Sequence, residues 1–185
     1  MEAPAIVLGD LQVSGKGQKS IPVIGSDLKN EAYVFPRKMP VPFNPSAYQN
    51  AEANRLSLCF TPTSECVEAV KSLEAQIIDH LKPRIKELGL DVSSTNTDWF
   101  KSALKLSKQG QSLSRTKINL AGRSALRVWG ANKHMIPYPV DWSGYMVTPK
   151  IWVKQLYVSN KEIGLVLECT DVSVEPIKHA CPFFS

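Results

Sequence analysis

The chain has 185 residues, 43% of them hydrophobic and 21% charged, a balance that supplies one domain with a real core and excludes intrinsic disorder. Its net charge of +5 is unevenly spread: residues 1–99 carry 10 basic and 12 acidic side chains, whereas residues 100–185 carry 12 and 5. No apolar run reaches the roughly 18 residues of a membrane span, and MEAPAIVLGDLQV has no basic region ahead of a hydrophobic one, so the expectation is a protein that is neither secreted nor membrane-bound.

At the N-terminus, AIVLGDLQV, SGKGQKS and IPVIG alternate β-prone runs with breakers, the pattern of a hairpin. GKGQKS lacks the spacing with which a phosphate loop cradles its ligand, and is read as a turn tip. Residues 35–48, FPRKMPVPFNPSAY, hold four prolines, each removing an amide donor, which predicts an irregular connection and no central strand. NRLSLCFT alternates Leu56, Leu58 and Phe60 with Arg55, Ser57 and Cys59, a half-buried strand. From Ser64, the spacing of Val67, Val70, Leu73, Ile77 and Leu81 predicts the principal helix, capped by Ser64 and broken near Pro83. RIKELGL adds a turn ended by Gly89, and DVSSTNTD is a loop.

Trp99 to Lys133 holds eight Lys or Arg residues and no Asp or Glu. WFKSALKLSKQG is read as a short helix with Lys101, Lys105 and Lys108 along one side, and the adjacent aromatics Trp99 and Phe100 as its core anchors. RTKINL and ALRVWG read as strands. If Ile118, Leu120, Leu126 and Val128 face the core, the other face shows Arg115, Lys117, Arg127 and Trp129. A long aromatic-bearing loop follows, then two strongly marked strands, KIWVKQLYV and LVLECTDVSVEP. In the first, Ile151 and Val153 oppose Lys150, Trp152 and Lys154.

Cations interleaved with aromatic rings suit a single nucleic-acid strand, whose phosphates need charge and whose bases need π-faces. The candidate phosphate contacts are Lys101, Lys105, Lys108, Arg115, Lys117, Arg123, Arg127, Lys133, Lys150 and Lys154. The candidate stacking platforms are Trp129, Tyr138, Tyr145 and Trp152. A solvated basic face is the competing reading of the lysines, and core packing that of the aromatic residues.

Catalytic signatures are missing. No His-Glu-x-x-His, G-x-S-x-G, Walker A or dinucleotide fingerprint occurs, and His80, His134 and His179 do not cluster in sequence. Asp141 is the one acid between Lys101 and Lys161, too few for a metal-dependent nuclease centre. Cys59, Cys66, Cys169 and Cys181 form no C-x-x-C pair and read as reduced thiols. Cys169 with His179 and Cys181 lacks the second close ligand pair of a zinc site. The expectation is therefore a non-enzyme without metal or cofactor.

The order TDWFKSALKLS, two basic strands, YPVDWSGYMVTPKIWVKQLYV and GLVLECTDVSV resembles the single-stranded DNA-binding proteins of large DNA viruses, of the African swine fever virus type, and more distantly those of bacteriophages. The resemblance covers about half of the chain well. It implies an OB-like β-barrel whose basic groove coats unwound DNA during replication, recombination or repair, at a nuclear or cytoplasmic replication site of a host cell. Only Lys101, Trp152 and the basic strand residues match that pattern by place. Phage members often end in an acidic tail closed by an aromatic residue; this chain ends IKHACPFFS, with Phe183 and Phe184 but no acidic run.

Together these readings predict one mainly β domain over residues 1–185, an OB-like barrel with one principal α-helix and long loops. Its expected partner is single-stranded DNA, with little sequence preference, and replication proteins are further candidate partners. The alternatives are an RNA-binding or nucleocapsid-type protein, and a structural protein whose basic face meets an acidic partner.

Overall fold

A computed structural model describes residues 2–27, 30–34, 36–47, 54–90 and 97–177. Phe183, Phe184, His179, Cys181 and most of the DVSSTNTD loop lie outside the described residues. The N-terminal part forms β1 (Ile6–Leu8), β2 (Gln12–Val13) and β3 (Lys19–Gly25), with β1 and β2 both antiparallel to β3. The short strands β4 (Tyr33–Val34), β5 (Met39–Pro40) and β6 (Ser46–Ala47) follow. The prolines thus confine residues 36–47 to two-residue strands, as their missing donors require. Next come β7 (Arg55–Phe60), the helix α1 (Ser64–Leu81), β8 (Phe100–Lys101), β9 (Leu104–Leu106), β10 (Ser112–Asn119) and β11 (Arg127–Trp129). The chain closes with two 14-residue strands, β12 (Tyr145–Val158) and β13 (Ile163–Pro176).

The β12–β13 hairpin is the spine. Along its outer edge β12 receives β3, β4 and β5, and along the other edge β13 receives β8, β10 and β11. The ordered path β1-β3-β12-β13-β10-β7-β6 is open at both ends. The fold is therefore mainly β and OB-like, but its sheet does not close as a barrel. The terminal strands explain why: β6 has two residues beside Pro45 and β1 has three, too few donors and acceptors for a closing ladder.

Burial alternates along β12. Val147, Pro149, Ile151 and Val153 are buried, while Thr148, Lys150, Trp152 and Lys154 are exposed or half-buried on the other face, as the period of two predicts. Ile118, Leu126 and Val128 join the core from β10 and the β11 segment. Leu58 and Phe60 of β7 are fully buried, and Ser57 and Cys59 on the opposite face are nearly so, flanked there by Lys105 and Arg115.

Helix α1 covers the apolar side with Cys66, Val70, Leu73, Ile77 and Leu81. Its cap is Thr63, one residue before the expected Ser64: Thr63 Oγ1 accepts from the Cys66 amide at 3.3 Å. Pro83 ends the α-helix without ending the turn, since a 3-10 segment, Lys82–Arg84, takes the proline in its first turn where no donor is needed. Arg84 then donates to the Gly9 carbonyl at 3.0 Å, tying the helix end to the N-terminal strands. Gly89 closes the region at φ +74, a left-handed conformation suited to glycine. Trp99 is buried and meets Phe100 edge to face at 6.1 Å, the core role expected of the pair. No helix among the described residues is long and apolar enough to cross a membrane.

Residues 99–110 do not form the expected helix. Leu104-Lys105-Leu106 has the period of a strand, and β9 pairs with β10 across a turn containing Gly110 at φ +78. The ladder and the hairpin turn outweigh the lysine spacing, which alone buries no apolar stripe.

Gly164 lies opposite Tyr157, and an added Cβ would sit 2.2 Å from its ring. Gly164→Ala is expected to displace that ring and cost about 1–3 kcal/mol, read as a lower midpoint in urea unfolding with an unchanged slope.

Candidate nucleic-acid interface

Register places a transverse row of side chains on the face of the sheet away from the helix. Tyr33 of β4 pairs with Trp152 of β12, Trp152 with Glu168 of β13, Glu168 with Lys117 of β10, and Lys117 with Ser57 of β7. Paired residues share a face, so one line crosses five strands. A second, shorter row joins Lys150, Asp171 and Arg127.

Two bulges shape these rows. The β12–β13 register shifts between Lys150 and Ile151 and again between Val153 and Gln155. The first leaves Thr170 as the extra residue and brings Asp171, in its place, opposite Lys150. The second leaves Lys154 unpaired in the ladder and free to turn across the face. There its Nζ lies 2.7 Å from Glu168 Oε2 and 4.8 Å from the centre of the Trp152 ring. Lys150 Nζ stands similarly 4.1 Å over the Tyr33 ring.

Three depressions follow the rows. The first, about 350 Å³, is walled by Lys101, Lys105, Arg115, Lys117 and Tyr157. The second, about 260 Å³, is walled by Tyr33, Arg123, Arg127, Lys150 and Trp152, with Glu31 at its edge. The third, about 500 Å³, shares Lys105, Arg115 and Ser57 with the first and is flanked by the exposed Phe43. The first and third therefore adjoin, and the row through Trp152, Glu168 and Lys117 connects the first with the second. Together they make a basic trough with aromatic walls.

The electrostatics are more balanced than the sequence suggests. Glu168 is fully buried in the trough floor, where it accepts from Lys154 and, at 2.8 Å, from Asn119. Arg127 grips Asp171 with two nitrogens, at 2.7 and 2.8 Å, and Trp129 Nε1 donates to the same carboxylate at 3.0 Å. Lys101 reaches Glu162 at 3.7 Å, and Glu162 also accepts from the Tyr157 hydroxyl at 3.0 Å. Burial pushes the Lys117 ammonium below its usual range, reinforced by the Arg55 charge and opposed by Glu168. Burial alone would raise Asp171, but hydrogen bonds from Arg127 and Trp129 outweigh it and hold the carboxyl below the usual range.

The trough wall is fastened from beneath. Glu74 of α1, buried, accepts the Ala103 amide at 2.7 Å and the Ser102 hydroxyl at 2.9 Å, fixing the bend between Lys101 and Lys105. Burial raises its carboxyl, and these two donors offset part of that rise.

Most of the expected site residues meet in this trough: Lys101, Lys105, Arg115 and Lys117 on one side, Arg123, Arg127, Lys150, Trp152 and Lys154 on the other. Five do not line it. Lys108 and Lys133 stand exposed on turns. Trp129 lies beside the trough with its indole N–H held by Asp171. Tyr145 packs against the core. Tyr138 lies against a separate apolar depression with Leu56, Ile118 and Trp142, its hydroxyl donating to the Leu126 carbonyl at 2.7 Å.

Sequence reasoning missed Tyr33, Phe43, Tyr157 and Glu74, which come from distant or short elements. It also missed the carboxylates of β13, whose periodicity the bulge interrupts. Among the described residues no group of His, Cys, Asp and Glu is placed to hold a metal, and Cys59, Cys66 and Cys169 are free, buried thiols.

No protein-family model and no curated protein sequence matches the chain. Its fold is similar to that of gp2.5, a single-stranded DNA-binding protein encoded by bacteriophage T7, with a TM-score of 0.53 at 8% identity over 83% of this chain and 96% of that one. It is also similar to a C-terminally truncated single-stranded DNA-binding protein from bacteriophage Enc34, with a TM-score of 0.51 at 12% identity over 95% of this chain and 98% of that one. These identities make the likeness one of fold.

Two outcomes follow from the geometry. Glu74→Ala should leave the Ala103 amide without a partner, at about 1–3 kcal/mol, and speed its hydrogen exchange relative to the β12–β13 amides. Asp171, with a lowered folded pKa, contributes stability above the unfolded aspartate value of about 3.9 and loses it as pH falls through the folded value. Unfolding free energy should therefore decline on acidification below about pH 4, and less steeply in Asp171→Asn.

Proposed function

We propose that this chain binds single-stranded DNA with little sequence preference, coating unwound strands during replication, recombination or repair. The observation that carries the reading is the row of Tyr33, Trp152, Glu168 and Lys117 crossing the floor of a trough walled by lysines and arginines. Such a surface offers a strand both things it exposes, phosphates and unstacked bases. The fold supports the same reading, since both phage proteins of similar fold bind single-stranded DNA. We place the chain with viral single-strand binders, the large-DNA-virus type included, acting where DNA is replicated inside a host cell.

In this reading Lys105, Arg115, Lys117 and Arg123 receive phosphates, and Tyr33 and Trp152 stack bases. Lys150 and Lys154 cover those two rings in the free protein. A base stacking on the covered face displaces the ammonium, which then meets the adjoining phosphate; one event supplies both contacts. Nothing in that exchange reads a base edge, so sequence preference is weak. The strand is held and extended, not cut.

The test is a titration of the protein with labelled oligo-dT, single-stranded RNA and duplex DNA at two salt concentrations, following anisotropy and Trp emission together. Tight oligo-dT binding that quenches Trp and weakens with salt, by a slope of about −0.7 per phosphate neutralised, is expected. Stronger binding to RNA would move the reading to an RNA-binding protein, and no binding at low salt would overturn it. Trp152→Ala should weaken oligo-dT binding by about 1–3 kcal/mol, whereas Lys108→Ala and Lys133→Ala, outside the trough, should change it by less than about threefold.

A further inference from the structure

The carboxylates of β13 raise a separate question. Residues 100–185 contain five acids, and four of them, Glu162, Glu168, Asp171 and Glu175, lie on β13 or immediately before it. Three of these engage trough cations: Glu162 with Lys101, Glu168 with Lys154, and Asp171 with Arg127. A trough shaped only to attract phosphate would not place carboxylates against its own cations.

Stability does not explain Glu168 either. It is fully buried on the trough face, paired across the ladders with Trp152 and Lys117 and accepting from Lys154 and Asn119. Taking a carboxylate out of water is costly, and apolar residues of similar volume often replace both members of a buried ion pair without loss of stability, so the pair is weak evidence of a stabilising role. A glutamine would still accept a hydrogen bond from Asn119 or Lys154. What it would lack is the negative charge beneath Trp152 and Lys117.

We propose that Glu168, with Asp171 and Glu162, makes the trough selective for a single strand over a duplex. The proposal rests on the single-strand reading above and adds the residues that reject the competing ligand. A duplex presents a dense phosphate array and keeps its bases stacked inside, so its hold on the protein depends almost wholly on uncompensated cations. A single strand adds stacking on Tyr33 and Trp152, which the carboxylates leave intact. Compensating part of the trough charge therefore weakens the duplex more than the single strand. The carboxylates act as fixed competitors for the lysines and arginines, and only a ligand that also stacks overcomes them.

The experiment compares the wild-type protein with Glu168→Gln and Glu162→Gln, measuring the dissociation constants for oligo-dT and for a duplex of equal length, each over a range of salt. Glu168→Gln is expected to tighten duplex binding about tenfold and oligo-dT binding less than about threefold, with a steeper salt slope for the duplex. Glu162→Gln, at the half-exposed edge of the trough, should shift the ratio in the same direction by a smaller factor, and it carries the test alone if the buried substitution impairs folding. An unchanged ratio of duplex to oligo-dT affinity in the folded variants overturns the inference while leaving the single-strand reading standing. Wild-type protein that binds no oligo-dT overturns both.

Discussion

The pairing of β12 with β13 is the constraint on which this molecule depends. Each strand runs for 14 residues; six other strands attach directly to their outer edges, and the remaining five reach them through β3 or β10. The N-terminal hairpin, the proline-rich segment and the basic strands have no long ladder among themselves. What they share is this spine, whose inward side chains form the centre of the core and whose outward side chains form the floor of the trough. The two surfaces are therefore coupled: a slip of one residue would exchange Val153 for Trp152 and Lys154.

The two bulges turn that ladder into a site. A regular hairpin would set Thr170 opposite Lys150 and keep Lys154 within the ladder. The bulges instead present Asp171 to Arg127 and direct Lys154 toward Glu168 and the Trp152 ring. An interruption of regular structure is thus where the chemistry is set, as bulges commonly do by re-aiming side chains. The buried Glu168 completes the arrangement, since Lys154 and Asn119 both converge on it.

Helix α1 contributes from the other side of the sheet. Its apolar stripe closes the core, and its one buried acid, Glu74, reaches between the strands to hold Ser102 and Ala103. A carboxylate among apolar neighbours keeps its place because both of its donors come from the same bend. The bend carries Lys101 on one arm and Lys105 on the other. The helix therefore positions the basic wall without taking part in it, and Tyr157, seated on Gly164, positions Glu162 from the spine.

Local pattern determined much of this protein by itself. The period of two in KIWVKQLYV separated Ile151 and Val153 from Lys150, Trp152 and Lys154, because a pleated strand must send neighbours to opposite faces. The spacing of Val70, Leu73, Ile77 and Leu81 determined the helix, and the prolines of 36–47 excluded a central strand, both through backbone sterics and donors. Only tertiary structure decided that Lys101 and Lys105 sit on strands, because β8 needed β13, and β9 needed β10, as a partner before so short a run could count as a strand. It alone joined Tyr33 to Trp152 and Glu168 to Lys117, pairs too far apart in sequence for any local period to relate. It also removed Tyr138, Tyr145 and Lys133 from the trough, and matched its cations with carboxylates. Net charge along a chain is a sum, whereas the field in a trough depends on which charges face one another, and the bulged register of β12 against β13 set that.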